Sequence, residues 1–140
     1  MLNSEVWGPH YWFFLHTVAY TYPEMPNEIT KRKYYDLIQN MPLFIPDSKM
    51  GDRFSQMLDK YPIYPYLDNR ESFMKWVHFI HNKMNLLLGK EQLGYLESLE
   101  IYKAFYKPKQ ISLSERFRIN KHYLYLAFIL LCVFLIYYFY

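Results

Sequence analysis

Asp68-Asn-Arg-Glu-Ser-Phe-Met-Lys-Trp-Val-His-Phe-Ile-His-Asn-Lys-Met-Asn-Leu-Leu-Leu-Gly89 reads as one amphipathic helix with two different working faces. Phe73, Trp76, Val77, Ile80, Met84 and Leu87 recur at the three-and-four spacing that buries one side of a helix. Asp68 with Glu71 reads as a capping box, and Gly89 as the stop. Away from the apolar side, His78, His81, Asn82 and Asn85 fall at offsets of three, four and seven, so four neutral hydrogen-bonding groups share a stripe. A solvated face in a chain with 21% charged residues should carry Lys and Glu. Imidazoles and amides instead keep oriented donors and acceptors when they are partly buried.

The same reading extends outward. A first helix is expected from Pro9, a good N1 residue, to Pro23, with Trp12, His16 and Tyr20 aligned at i, i+4 and i+8. A second follows Asn27 as cap, carries Ile29, Tyr34, Leu37 and Ile38, and stops before Pro42. A third follows Pro46 with Asp47 as N-cap and runs through Met50, Phe54, Met57 and Leu58 to Tyr61. Tyr61 to Asp68 is too rich in proline for a helix. A short fifth helix from Tyr95 to Phe105 offers Leu96, Leu99, Ile101, Tyr102 and Phe105 to lie across the others. No segment has the alternation of a strand, so the fold class is all-α.

Leu124 to Tyr140 contains no charge, no Pro and no Gly. As a helix, Tyr123 to Tyr140 would span roughly 27 Å, close to the ~30 Å of a hydrocarbon core. A C-terminal transmembrane helix over 123–140 is the expectation; a buried core helix is the alternative, but would show a polar stripe. Lys107, Lys109, Arg116, Arg118 and Lys121 stand against Glu115 before it, so residues 107–122 read as a loose basic linker near anionic lipid. The positive-inside bias keeps the soluble domain, residues 1–106, cytosolic. The N-terminus shows no basic and apolar secretory pattern. The net charge of +3 lies beside the anchor, which argues against a nucleic-acid partner. Cys132, the one cysteine, cannot pair within the chain, and its place in the anchor suits lipid contact, packing or palmitoylation.

From the residues alone, the two polar and aromatic stripes are either interhelical packing or the walls of a pocket for a polar ring system. Indole, imidazole and phenol planes can stack on a heteroaromatic ring while their edges meet its heteroatoms. A metal at His78 with His81 or Asn82 lacks supporting carboxylates and thiolates, so no metal site is expected. A glycine-rich phosphate loop and a Ser-His-Asp pattern are both absent.

Trp7-Gly8-Pro9-His10-Tyr11-Trp12, with Leu15-His16-Thr17-Val18-Ala19 and Tyr22-Pro23, resembles the opening helix of the Erv/ALR family of FAD-linked sulfhydryl oxidases. Trp76, His81-Asn82-Lys83-Met84-Asn85 and Leu88-Gly89-Lys90 resemble that family's W...HNxxN...GK segment. The resemblance covers about residues 5 to 105. It implies a four-helix FAD-binding bundle crossed by a short fifth helix, usually a homodimer, that oxidises protein thiols with oxygen as acceptor. Carried over residue by residue, it implies FAD contacts from Gly8, Trp12, His16, Tyr22, His81, Asn82, Asn85 and Lys90. Tyr20 shares the stripe but not the motif.

The departure lies at Ile45-Pro46-Asp47-Ser48-Lys49-Met50, where the family carries a C-x-x-C pair. Asp47 and Met50 occupy the cysteine positions, so no catalytic cysteine is intact and neither side chain can supply a thiolate. Asp47 serves as cap and Met50 as apolar filler. His78 and Tyr95 stand where a structural cysteine pair would align, and neither terminus carries a shuttle pair. Membrane-anchored relatives in large DNA viruses face the cytosol, and a host or virion membrane is compatible with this chain. Any oxidation here needs a protein thiol substrate or an active relative to bring the sulfur. The alternative is a non-catalytic FAD-binding, docking or dimerisation module at a membrane.

Overall fold

The computed structural model describes residues 2–108 and 113–139, and these divide into two compact units, Met1–Phe105 and Tyr106–Tyr140. The first unit is built from α1 (Ser4–Tyr20), α2 (Glu28–Asn40), α3 (Ser48–Lys60), α4 (Arg70–Leu87) and α5 (Tyr95–Ala104). Short 3₁₀ turns at Met41–Phe44 and Tyr64–Tyr66 join α2 to α3 and α3 to α4. No strand occurs among the described residues.

Local chemistry explains most of the boundaries. The side chain of Asn27 accepts the Thr30 N–H at 2.8 Å and that of Asp47 accepts the Met50 N–H at 3.2 Å, so both expected caps are in place. The start of α1 is different. Asn3, not Pro9, opens the helix: its side chain accepts the Glu5 N–H and its carbonyl accepts from Val6 and Trp7. Pro9 therefore sits inside α1, where its missing N–H forfeits the bond to the Glu5 carbonyl. The cap of α4 is also one residue on from expectation. Asn69 accepts the Ser72 N–H at 2.9 Å, because the Asp68 carboxylate is drawn to Lys31 at 2.9 Å.

The end of α4 positions a wall of the site. Gly89 adopts φ +66, the Gly89 N–H donates to Leu86, and the Lys90 N–H donates to Asn85 at 2.8 Å. This is the paired bonding of a Schellman stop, which needs a left-handed residue and so a glycine.

The core gathers Leu15 and Ala19 of α1, Ile38 of α2, Phe54, Met57 and Leu58 of α3, and Phe73, Trp76, Val77, Ile80 and Met84 of α4. The apolar face expected for α4 is buried except for Leu87, which is exposed. Tyr102 is the buried residue of α5; Leu96, Ile101 and Phe105 are exposed.

The second unit is described by itself. Its helix α6 runs Leu113–Phe139, and Asn120–Phe139 is long and apolar enough to cross a membrane, with a mean hydropathy of 2.0. The expected loose linker over 107–122 is thus corrected in its second half, which is helical. Residues 113–122 lack Pro and Gly, and five of the ten, Leu113, Glu115, Arg116, Arg118 and Lys121, are good helix formers. Residues 109–112 of that linker lie outside the described residues.

Candidate functional site

Successive turns of α1 carry Trp12 and His16 toward α4, and successive turns of α4 return His81 and Asn85 toward α1. The Trp12 and His81 rings stack with centroids 4.1 Å apart and planes 9° apart. His16 Nε2 lies 3.0 Å from His81 Nδ1. Both rings are half-buried, and loss of solvent is the largest cause that lowers their pKa, to about 4 for His16 and about 3 for His81. His78 adds a smaller push on His16; His16, His78 and Lys90 do the same to His81. At neutral pH both rings are uncharged, one donating to the other.

These side chains bound a cavity of about 410 Å³. Gly8, Trp12, His16, His81, Asn82, Asn85 and Lys90 all line it. A Cβ on Gly8 would meet nothing within 4 Å, so the glycine leaves the α1 backbone open on the cavity side. Apolar lining comes from Leu15, Met50, Phe54 and Met84. The size lies within the usual range for small-molecule pockets, and the mix of apolar walls with few convergent polar groups is typical of them. The four residues expected to converge, Trp12, His16, His81 and Asn85, do line one cavity.

Tyr22 does not reach the cavity. Its ring is fully buried against Tyr34 and Phe73, at 4.6 and 5.2 Å, and its hydroxyl donates to the Leu67 carbonyl at 2.8 Å. The Tyr-Pro step turns this ring into the core as a pin between α1 and the turn before α4. Tyr20 faces a separate small hollow with His78, Tyr95 and Tyr102. Asn82 lines the cavity, but its amide is committed to the backbone of Leu93 through bonds of 2.9 and 3.3 Å.

At the α3 end, the Asp47 side chain caps the helix while Met50 turns into the cavity. A Cβ on Gly51 would meet the Pro42 carbonyl oxygen at 2.7 Å, so the first turn of α3 is pressed against the 3₁₀ turn. His78 and Tyr95 contact edge to face, with centroids 5.5 Å apart. Leu93, Ser98 and Ile101 also line the cavity, from the loop after α4 and from α5. Sequence reading missed them because their contribution depends on how α5 folds back, which no local spacing announces.

The Erv1 / Alr family model matches residues 9–107. A probable FAD-linked sulfhydryl oxidase of Acanthamoeba polyphaga mimivirus is 35% identical over 112 residues, covering 79% of this chain and 78% of the relative. An FAD-linked sulfhydryl oxidase of African swine fever virus is 30% identical over 69% of this chain and 79% of its own length. The Arabidopsis thaliana FAD-linked sulfhydryl oxidase ERV1 is 32% identical over 64% of this chain, and only 46% of that relative is spanned. Among solved structures, the yeast Erv1 core superposes with a TM-score of 0.65 at 22% identity, over 76% of this chain and 86% of that one. That likeness establishes the helical fold.

Proposed function

Because this chain belongs to the Erv1 / Alr family, we propose that its cavity binds FAD and that the protein works within the thiol-oxidising chemistry of FAD-linked sulfhydryl oxidases. The observation that carries the reading is the parallel Trp12–His81 pair beside the neutral His16–His81 contact. Flat, uncharged rings with polar edges suit a heteroaromatic ligand, and charged imidazoles would not. Trp12 and His81 supply stacking faces, His16 and Asn85 supply edge hydrogen bonds, and the Lys90 ammonium suits a phosphate. Gly8 leaves the backbone open to the ligand. Asn82 shapes the wall, and Tyr22 has no part in binding.

The bound flavin would supply a two-electron acceptor. The chain itself supplies no thiolate, since Asp47 and Met50 replace the cysteine pair and Cys132 lies in the apolar helix. A substrate or partner protein must therefore bring its thiolate to the cavity past the Asp47–Met50 turn. The same observation favours a second reading, in which the FAD-bound bundle is a docking module for an active relative, or pairs with its own copy. The apolar stretch Asn120–Phe139 supports a single-pass anchor, and the basic residues before it support a cytosolic bundle at a host or virion membrane.

Absorbance of the purified chain tests the cofactor. A flavin band that falls in Trp12→Ala and His81→Ala variants is the expected outcome; colourless protein that stays so after addition of FAD sinks the reading. Oxygen uptake by the flavin-loaded protein with dithiol substrates then separates the two forms of it. Turnover supports oxidation, and its absence leaves the docking module.

A further inference from the structure

The polar contacts behind one wall of the cavity close on each other so that His78 has a single allowed protonation state. Asn82 Nδ2 donates to the Leu93 carbonyl at 2.9 Å, and Asn82 Oδ1 accepts the Leu93 N–H at 3.3 Å. These two bonds fix the amide's orientation, because the reversed amide would set oxygen against oxygen and N–H against N–H. The second Nδ2 hydrogen is then available to His78 Nε2, which lies 3.1 Å away and must present a lone pair. On the other side of the ring, His78 Nδ1 is 2.9 Å from Ser98 Oγ. The Ser98 hydroxyl donates to the Tyr95 carbonyl at 2.9 Å, so Nδ1 carries the ring hydrogen and Ser98 Oγ accepts it.

We propose that neutral His78 is a positioning residue for the cavity, a latch that holds the Leu88–Leu93 wall through Asn82 and releases it when the ring takes up a second proton. A protonated ring would turn an Nε2–H against the Asn82 amino group, two donors facing each other. The new N–H also competes for the Leu93 carbonyl, the one contact that favours the charged ring. Asn82 is displaced, and the Leu93 N–H loses its acceptor. Leu93 and Lys90 both line the cavity from this wall. The latch is a property of the wall and is independent of which ligand the cavity holds.

The surroundings of the ring set when this happens. From α1 His16 and Tyr20 face it; from α5 Tyr95, Ser98, Leu99 and Tyr102 do. From α4 its neighbours are Met74, His81 and Asn82, with Lys75 over the Tyr95 ring and paired to Glu71 at 2.7 Å. Lys90 acts on the cluster through His81. Burial, the largest influence, lowers the His78 pKa below its ordinary 6.5. His16 and His81 stay neutral down to about 4 and about 3.

The test uses the full chain in detergent micelles or nanodiscs. Two-bond nitrogen–proton correlations on the His78 ring should show the Nδ1–H form near neutral pH. As pH falls from about 6.5 toward the lowered pKa of that ring, protection of the Leu93 amide, corrected for intrinsic exchange and referenced to the Ile80 amide, should fall by about tenfold per pH unit, the factor set by coupling to one proton. The His78→Gln variant keeps an acceptor near the Nε2 position and cannot titrate, so its Leu93 protection should stay flat. An Nε2–H tautomer at neutral pH, or the same pH-dependent loss in His78→Gln, would overturn the latch. If that variant does not fold, the wild-type chain still decides: Leu93 protection that ignores the His78 titration refutes it.

Discussion

His16 and His81, 3.0 Å apart and half-buried, make the site's polarity a matter of keeping protons away. The unfolded chain protonates both near 6.5, whereas the folded chain resists until about 4 and about 3. Between those limits the unfolded state binds more protons, so stability rises with pH through that window and levels off above about 6.5. For His16 the loss at full protonation is on the order of 3 kcal/mol, since each pKa unit corresponds to about 1.4 kcal/mol. Urea melts across the window should show this slope, and His81→Phe, which keeps a ring against Trp12 without a titrating group, should reduce it. An unchanged slope in the variant would mean that other groups carry the pH dependence. The Asp47 and Met50 positions offer a second residue-scale prediction. Asp47→Cys with Met50→Cys replaces a good cap at a cost of about 1 kcal/mol, but puts a thiol pair at a helix N-terminus, where thiolates are favoured. Because Met50 already lines the cavity, the FAD-loaded double variant should bleach with dithiol and then consume oxygen. Disulfide formation without flavin reduction would show that the cavity no longer has the oxidase geometry.

At the scale of elements, the first turn of α3 is held close to the Met41–Phe44 turn, and Gly51 is what allows it. Alanine has the better helix propensity by about 1 kcal/mol, yet its Cβ would lie 2.7 Å from the Pro42 carbonyl oxygen, a backbone atom with little room to yield. Gly51→Ala should therefore destabilise the bundle, within the ~1–3 kcal/mol typical of overpacking, and a chemical melt with an unchanged or raised midpoint would show that the turn can retreat. Nothing in the spacing of apolar residues announces this glycine, because it depends on a contact between α3 and a turn formed by other residues. The same limit explains what sequence could reach elsewhere. Helices α2, α3 and α5 were legible because caps, prolines and periodic apolar residues are local signals. The start of α1 was not: Asn3 and Pro9 both suit a helix start, and Asn3 reaches the orphan N–H groups first. At α4, Asp68 and Asn69 are equally good caps until Lys31, from α2, takes the carboxylate. The paired stripes of the cavity were legible because each lies on one helix. Tyr22 lies outside the cavity lining, since a motif gives a residue's presence and not the direction of its ring.

For the whole molecule, the division between Phe105 and Tyr106 bears on membrane attachment. Every residue of the first unit's main core cluster lies between Leu15 and Met84. The side chains from Tyr123 to Phe139 are exposed except Cys132, which is half-buried. Tyr123 and Tyr125 stand at one end of this apolar stretch and Tyr137 and Tyr138 at the other, the places where aromatic rings anchor at headgroups. Tyr123 to Tyr138 spans about 22 Å as a helix, a short length that favours a thin bilayer over a thick one. The full chain should therefore stay with membranes through alkaline carbonate extraction. Reconstituted, it should insert more completely in short-chain than in long-chain lipid vesicles. A chain ending at Tyr106 should remain in solution with the helical circular dichroism expected of the bundle. If that shorter chain aggregates or loses its helicity, the exposed face of α6 is part of the folded core and the membrane assignment falls. If it stays folded while the full chain washes off membranes, α6 is instead a surface for another protein.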